Sequence, residues 1–398
     1  MNPVLIAGAG PVGCALALFL AQNDIAVILL EAQDSLPQDL RASTFHPPTL
    51  DMLAELGMVD DMMTVGLKVE DYQYRDRRTN EIAKFDLSIL EGETDHPYRL
   101  QCEQYKMTKI VVDKLAGFPN ADVRLGARLK GYREVDGGVQ ALVQDTDGEQ
   151  LIKCDYLVGC DGANSVVRQA GGVVFEGMTY PERFLVASTT YDFSEFFDGL
   201  SLVNYVSDPN EWCVILRTSD VWRVLIPTPM DQGGDTFLTD EFIQSRLHRL
   251  AKNDVDFDIV HRTLYRVHQR VAETYQVRDR VLIAGDAAHV NNPLGGMGMN
   301  GGVQDAINLG EKLVSIIQHG GDRQDLLALY NRQRRGICTQ FIQEHTKKNK
   351  ALMEAIDEQT QIKRQAEFMK SCSDPVLAKA FVMETSMINC VRESYRIT

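Results

Sequence analysis

Residues 4–31 read VLIAGAGPVGCALALFLAQNDIAVILLE, and the fold turns on how this stretch is read. Residues 3–7 have strand character, the Ala/Leu-rich residues 14–23 have helical character, and residues 25–31 read as a second strand. The first strand meets the helix through Gly8-Ala-Gly10-Pro-Val-Gly13. Gly8 makes the tight turn, Gly10 lets a pyrophosphate approach the backbone, and Gly13 permits close contact between helix and sheet. The amides that open the helix then face phosphate charge. Glu31 ends the second strand, where a carboxylate accepts hydrogen bonds from an adenosine ribose. A glycine turn alone can be merely structural. Strand, turn, helix, strand and terminal acid together specify a dinucleotide, either FAD or a nicotinamide dinucleotide.

The rest of the composition narrows the class. The chain has 398 residues, 44% hydrophobic and 24% charged, enough for two or three domains with separate cores. Lys and Arg number 41 against 56 Asp and Glu, a net charge of −15. That balance argues against a nucleic-acid backbone or an anionic membrane as partner. Arg332, Arg334, Arg335, Lys347, Lys348 and Lys350 accordingly read as solvated helix surface. The 8 cysteines form no C-x-x-C pair and have no histidine at zinc spacing. No metal site is expected, and the thiols read as reduced packing residues of a cytoplasmic protein. Glycines break the N-terminal apolar run before it becomes a signal-peptide core.

Two later segments carry further information. Tyr156-Leu-Val-Gly-Cys-Asp161-Gly162-Ala-Asn-Ser165-Val-Val-Arg168 is an apolar strand ending in Asp-Gly and a polar turn. Arg280-Val-Leu-Ile-Ala-Gly285-Asp286-Ala-Ala-His289 is another strand ending in an acid. It continues through Asn292-Pro293-Leu-Gly295-Gly296-Met-Gly298-Met299-Asn300 into a helix expected over about residues 303–317. With these motifs in this order, residues 3–313 resemble the para-hydroxybenzoate hydroxylase family of single-component (class A), FAD-dependent aromatic monooxygenases. Tyr265-Arg-Val-His-Gln-Arg270 and the Asn292 to Gly298 segment look most similar to hydroxylases of phenols, nitrophenols and hydroxypyridines.

Motifs and resemblance together imply an α/β protein, α+β overall. A discontinuous Rossmann-like FAD-binding domain is expected over residues 1–70, 98–180 and 271–320. An antiparallel-sheet substrate domain is expected over 71–97 and 181–270, and a C-terminal helical cap over 321–398. The resemblance implies non-covalent FAD contacted by Gly8, Gly10, Gly13, Glu31, Arg41, Gln104 and Asp161, with Asp286 on the ribityl chain. Gly295, Gly298, Met299 and Asn300 are expected at the flavin pyrimidine edge. Arg168 is either available to a phosphate or a helix-surface charge. The resemblance also implies NADH or NADPH as a transient electron donor, O2 as co-substrate, and oxygen transfer from a flavin hydroperoxide to an activated ring.

Residues 184–191, 202–206, 212–217 and 221–226 alternate as antiparallel strands, and residues 71–87 are expected to join them. A mostly apolar pocket between this sheet and the flavin would hold a small aromatic substrate. Tyr72, Tyr74, Tyr205, Arg217, Arg223 and His46 are the catalytic candidates. Tyr205, Arg217, Arg223 and Pro293 are the substrate-contact candidates, with Tyr191 and Trp222 nearby in sequence. Arg217 stands near the family's carboxylate-binding arginine, but no Ser-x-Arg accompanies it. A neutral or singly ionised hydroxy-arene is therefore expected rather than hydroxybenzoate. His268 and His289 have no Ser or Cys partner and read as ordering residues. The assembly is compatible with a homodimer.

Three alternatives remain at this level: a flavin-dependent halogenase, another flavoprotein oxidoreductase on the same fold, or a non-enzymatic flavin-binding redox sensor. A halogenase needs a second tryptophan two residues after Trp222, where Val224 stands.

Overall fold

Strand Val4–Ala7 lies inside a six-stranded sheet, paired in parallel with Val27–Leu30 on one side and Tyr156–Gly159 on the other. The computed structural model describes all residues except 1, 39, 41, 209–210, 230–232 and 354–356. The sheet continues outward to Ala121–Arg124 at one edge and through Val281–Ile283 to Gln276–Arg278 at the other. Every residue of the three central strands is buried. That is why they are unbroken apolar runs rather than alternating ones. Helix Pro11–Gln22 packs against helices Gln104–Leu115 and Met297–His319. A three-stranded meander, Arg128–Val135, Gly138–Asp145 and Gly148–Cys154, puts Val139, Ala141 and Val143 into the same core.

The second sheet has eight strands. In order they are His289–Val290, Ile259–Ala272, Phe175–Thr189, Trp222–Pro229, Cys213–Arg217, Val203–Ser207, Asp71–Asp76 and Ile82–Asp86. All pairings are antiparallel except that of Val203–Ser207 with Asp71–Asp76. Alternate residues separate two cores. On one face Tyr72, Tyr74, Phe85, Phe184 and Tyr205 meet Met353, Phe368, Val382 and Met383 of the C-terminal helices. On the other, Leu185, Ala187, Ile215, Trp222 and Val224 pack on helix Asp240–Ala251.

Two expectations require correction. The helix expected to begin near Val303 begins at Met297, because Gly295 and Gly296 adopt positive φ (93° and 68°) and turn the chain directly into its first turn. The basic side chains of the C-terminal helices are not all solvated. Arg334 is 2% exposed, its Nε donating to Asp305 Oδ1 at 2.7 Å, and Lys350 is buried beside Glu182 at 3.1 Å. Among the described residues, no helix is long and apolar enough to cross a membrane.

Candidate functional site

The glycine turn behaves as three different positions. A Cβ on Gly8 (φ 103°) would lie 2.5 Å from the Cys160 carbonyl oxygen, and one on Gly13 would overlap the Gly8 carbonyl oxygen. Packing requires both to be glycine. Gly10 differs: nothing lies within 4 Å of a Cβ built there. Its edge faces open space at the N-terminus of helix Pro11–Gln22, where Pro11 at the first position has no N–H of its own and the amides that follow it stay open to a ligand. Glu31 comes back to this turn, its two oxygens accepting from Ala9 N at 3.2 Å and Gln33 N at 3.0 Å. Its carboxylate retains further lone pairs for a ribose hydroxyl.

Asp161 takes the parallel position on the neighbouring strand. Oδ2 accepts from Val166 N (2.7 Å) and Val167 N (3.2 Å), capping the short helix Val166–Ala170, while Oδ1 is buried with no partner among the described residues. Burial pushes this carboxyl above its ordinary range, against the lowering effect of Ser165 and the helix amides. Arg168 is not a surface charge. It is buried, donating to the carbonyls of Ala287 (2.8 Å) and Ala163 (2.7 Å), with its guanidinium 3.9 Å from the Phe175 ring centroid. It ties the two acid-ended turns together.

Asp286 is exposed among buried neighbours at the tip of the turn Gly285–Ala287. Behind it sits a buried charge cluster that sequence reading missed. Asp305 Oδ2 accepts from Gly285 N (3.1 Å) and meets His289 Nε2 (2.8 Å), while Oδ1 accepts from Arg334 Nε. Burial would raise the Asp305 carboxyl, but Arg334 and His289 hold it below its ordinary range. His289 thus orders the turn, as expected of it.

The Gly295-Gly296 turn brings the third motif against residues 43–46, which include the short strand Thr44–Phe45. The Pro293 carbonyl accepts from Gly296 N at 3.0 Å. Asn300 acts as a clamp: its Oδ1 accepts from His46 N (2.8 Å) and its Nδ2 donates to the carbonyls of Thr44 (2.8 Å) and Gly296 (2.6 Å). Gly298 and Met299 lie partly open in the first helical turn. Gln104 starts its helix, its N donating to Ala42 O at 2.9 Å, and is half-buried. The glutamine tied to this segment is Gln101, the strand partner of Thr44, fully buried, whose Oε1 accepts from Ser43 and Thr44 hydroxyls at 3.1 Å each. Arg41 lies outside the described residues.

His46 is buried, its Nε2 donating to the Gly295 carbonyl at 2.7 Å. Burial first, then the nearby Arg99 charge, lower its pKa to about 3, so the ring is neutral. Arg99, another residue missed in the sequence, is 2% exposed. It stacks over the Tyr72 ring at 4.1 Å and donates to the Thr385 carbonyl at 3.4 Å. Tyr72 bonds the Thr385 hydroxyl at 2.7 Å, and burial pushes its phenol up to about 12.

Along this face of the second sheet Tyr74 is stacked between Tyr205 (4.8 Å) and Phe368 (4.1 Å). Arg223 shares the face but reaches away from the tyrosines, bonding the Leu40 carbonyl and Ser43 Oγ. It fastens the sheet to Leu40 and Ser43. Arg217 is a correction. It pairs in register with Trp222, on the opposite face, and stacks on that indole at 5.8 Å. Trp222 and Tyr191 also face that other core. His268 meets Thr179 Oγ1 at 2.8 Å on the long strand, away from the site.

These residues fit an extended dinucleotide. The Glu31 carboxylate, the space over Gly10, the Asp161 oxygen without a partner among the described residues and the exposed Asp286 follow one another along the strand ends of the parallel sheet, the position such ligands occupy in open α/β sheets. Comparison with known proteins gives the same picture. The family described as FAD binding domain matches residues 1–345. A para-nitrophenol 4-monooxygenase of Pseudomonas sp. (strain WBC-3) is 32% identical, over 98% of this chain and 96% of its own length. A 6-hydroxy-3-succinoylpyridine 3-monooxygenase of Pseudomonas putida (strain DSM 28022 / S16) is 33% identical over 83% of this chain and 84% of its own. The crystal structure of a p-nitrophenol 4-monooxygenase from Pseudomonas putida DLL-E4 superposes with a TM-score of 0.92 at 30% identity, covering 98% of each chain.

Proposed function

The chain belongs to the FAD binding domain family, and from that premise we propose that it is an NAD(P)H- and O2-dependent flavoprotein monooxygenase hydroxylating an activated aromatic ring of phenol, nitrophenol or hydroxypyridine type. The observation that carries this reading is the end-to-end likeness to a nitrophenol 4-monooxygenase structure, which includes the C-terminal helices as well as the dinucleotide fold. Neither a halogenase nor a redox sensor is supported by such relatives.

Bound FAD supplies the transfer of electrons from the nicotinamide donor to O2. We assign its binding to Gly8, Gly10, Gly13, Glu31, Asp161 and Asp286, and to the helix that opens at Met297. The amides and positive end of that 23-residue helix favour negative charge at its N-terminus. The chain's own contribution is arrangement. The Asp305 cluster fixes the Gly285 turn, and Asn300 locks the glycine-rich turn to His46. The tyrosine face and the C-terminal helices close the ring's side of the site and exclude water. The same reading divides the chain into a dinucleotide-binding unit, a sheet unit and a helical cap at the boundaries expected above. Its 8 unpaired thiols suit the reducing cytoplasm.

Steady-state NAD(P)H oxidation against a panel of phenols and hydroxypyridines, with product mass and peroxide both measured, tests the proposal. Substrate-stimulated oxidation with a hydroxylated product is the expected result. Oxidation yielding peroxide alone with every ring would reject it.

A further inference from the structure

Two buried polar atoms at the ring's side of the site have no partner among the described residues, and their needs are opposite. His46 Nδ1 is buried and unpartnered. Because Nε2 carries the proton donated to the Gly295 carbonyl, Nδ1 presents a lone pair and requires a donor. Arg99 Nε–H is likewise buried and unpartnered, and it requires an acceptor. Arg99 has no carboxylate within ion-pair distance among the described residues, although it is 2% exposed. An unanswered buried cation of this kind is costly in the free protein. Thr385, whose carbonyl receives the only hydrogen bond of the Arg99 side chain among the described residues, adjoins Ser386, whose Oγ is also buried without a partner among them.

A hydroxyl group meets both demands, donating its hydrogen while accepting another, and so does the water it would displace. The geometry points to His46 and Arg99 as the pair that recognises the substrate's ring hydroxyl, with His46 Nδ1 accepting from it and Arg99 Nε donating to it. This rests on the monooxygenase reading and deepens it, since it makes a free hydroxyl on the arene a condition of binding. A neutral imidazole is what this role needs, and burial together with the Arg99 charge keeps His46 neutral across the physiological range. Arg99 also places positive charge where a phenolate would develop. Tyr72, stacked under Arg99 and held by Thr385, positions the guanidinium rather than touching the ring hydroxyl itself.

The test is calorimetric binding to FAD-loaded protein of 4-nitrophenol, nitrobenzene and 4-nitroanisole, at a pH below that at which 4-nitrophenol ionises. 4-Nitrophenol should bind about tenfold tighter than either analogue, the worth of a hydrogen bond to a charged group. In Arg99→Met the three ligands should come within about threefold of one another with FAD content retained, and in His46→Leu they should converge likewise, at a lower melting temperature because the Gly295 carbonyl loses its donor. Equal binding of the three by the wild-type protein overturns the proposal, whether or not a variant folds. Undiminished selectivity in a folded Arg99→Met also overturns it, leaving a bound water as the group between the two side chains. Failure of the monooxygenase reading is distinguishable, because then no hydroxy-arene yields product even where 4-nitrophenol binds selectively.

Discussion

Two arginines, each 2% exposed, show how differently the two halves of the molecule use buried charge. Arg334, behind the parallel sheet, is answered within the protein: Asp305 accepts from it at 2.7 Å and also from Gly285 N, so that charge and backbone turn form one closed unit. Arg99, at the tyrosine face, has an aromatic ring beneath it and a carbonyl at 3.4 Å, but no carboxylate among the described residues. The first arrangement belongs to a scaffold complete without ligand. The second belongs to a site completed by one.

The sharpest way to break this contrast is to remove each charge in turn. Asp305→Asn leaves Arg334 uncompensated and should cost about 3–5 kcal/mol in denaturant unfolding. Arg99→Met removes a buried cation that no carboxylate among the described residues neutralises, and should leave stability unchanged or raise it. Equal losses would erase the distinction. The Asp305 effect should also depend on pH. Its folded carboxyl is held below the unfolded value of about 3.9, so its contribution is complete above that pH and is lost as pH falls through the folded value. The gap between wild type and Asp305→Asn should therefore narrow in strong acid.

Within the dinucleotide half, Gly13→Ala places a methyl on the Gly8 carbonyl oxygen and should destabilise the apoprotein by about 3 kcal/mol. Gly10→Ala meets nothing within 4 Å, so it should leave apoprotein stability unchanged within about 0.5 kcal/mol while weakening FAD. Parallel melts with and without FAD separate the two. A Gly10→Ala protein that retained full FAD affinity would remove the pyrophosphate from that edge.

A smaller effect tests the neutral histidine. His46 has a folded pKa of about 3 against 6.5 for a free ring. The unfolded chain binds a proton there that the folded chain does not, so stability is full above pH 6.5 and falls as pH drops. About 2 kcal/mol should be lost from this group between pH 6.5 and 5, and His46→Gln should flatten that part of the stability curve. An unchanged slope would mean that the ring is protonated in the folded state. Smallest of all is Arg217→Gln. Arg217 faces the helix-covered side of the sheet, so KM for the aromatic substrate should stay within about twofold of wild type. A large rise in KM would put the substrate on the wrong face.

What could be read from the sequence follows the same division. Gly8 to Glu31 is a local unit, and its strands, turn and helix occur in the order the pattern gives, though the helix opens at Pro11 rather than Cys14 and the second strand at Val27 rather than Ile25, because turn chemistry and burial on both faces act within about thirty residues. Arg99 could not be found that way. Its neighbours come from residues 46, 72 and 385, and nothing in the spacing joins them. Arg217 was misplaced because a strand residue and its neighbour face opposite cores, so an error of one residue in register reverses the side. Arg334 reads as solvated among its polar neighbours, since its partner Asp305 sits on another helix. The start of that helix at Met297 was hidden by the low helix propensity of glycine. Yet Gly302 must be small there, because a Cβ would come within 2.6 Å of Val12 and 3.0 Å of the Gly285 Cα.

The central claim, that the two halves meet to place one oxygen atom on an activated ring, is tested most directly under isotopically labelled O2. FAD-loaded protein, NAD(P)H and 4-nitrophenol or a hydroxypyridine should give a product carrying one labelled oxygen, with little peroxide and with donor oxidation accelerated by the substrate. The label should appear more slowly as the ring is made poorer in electrons, and faster as pH rises through the substrate's hydroxyl pKa, because the phenolate is the more electron-rich form. Label found only in peroxide or water, with the ring recovered unchanged from every substrate, would contradict the account.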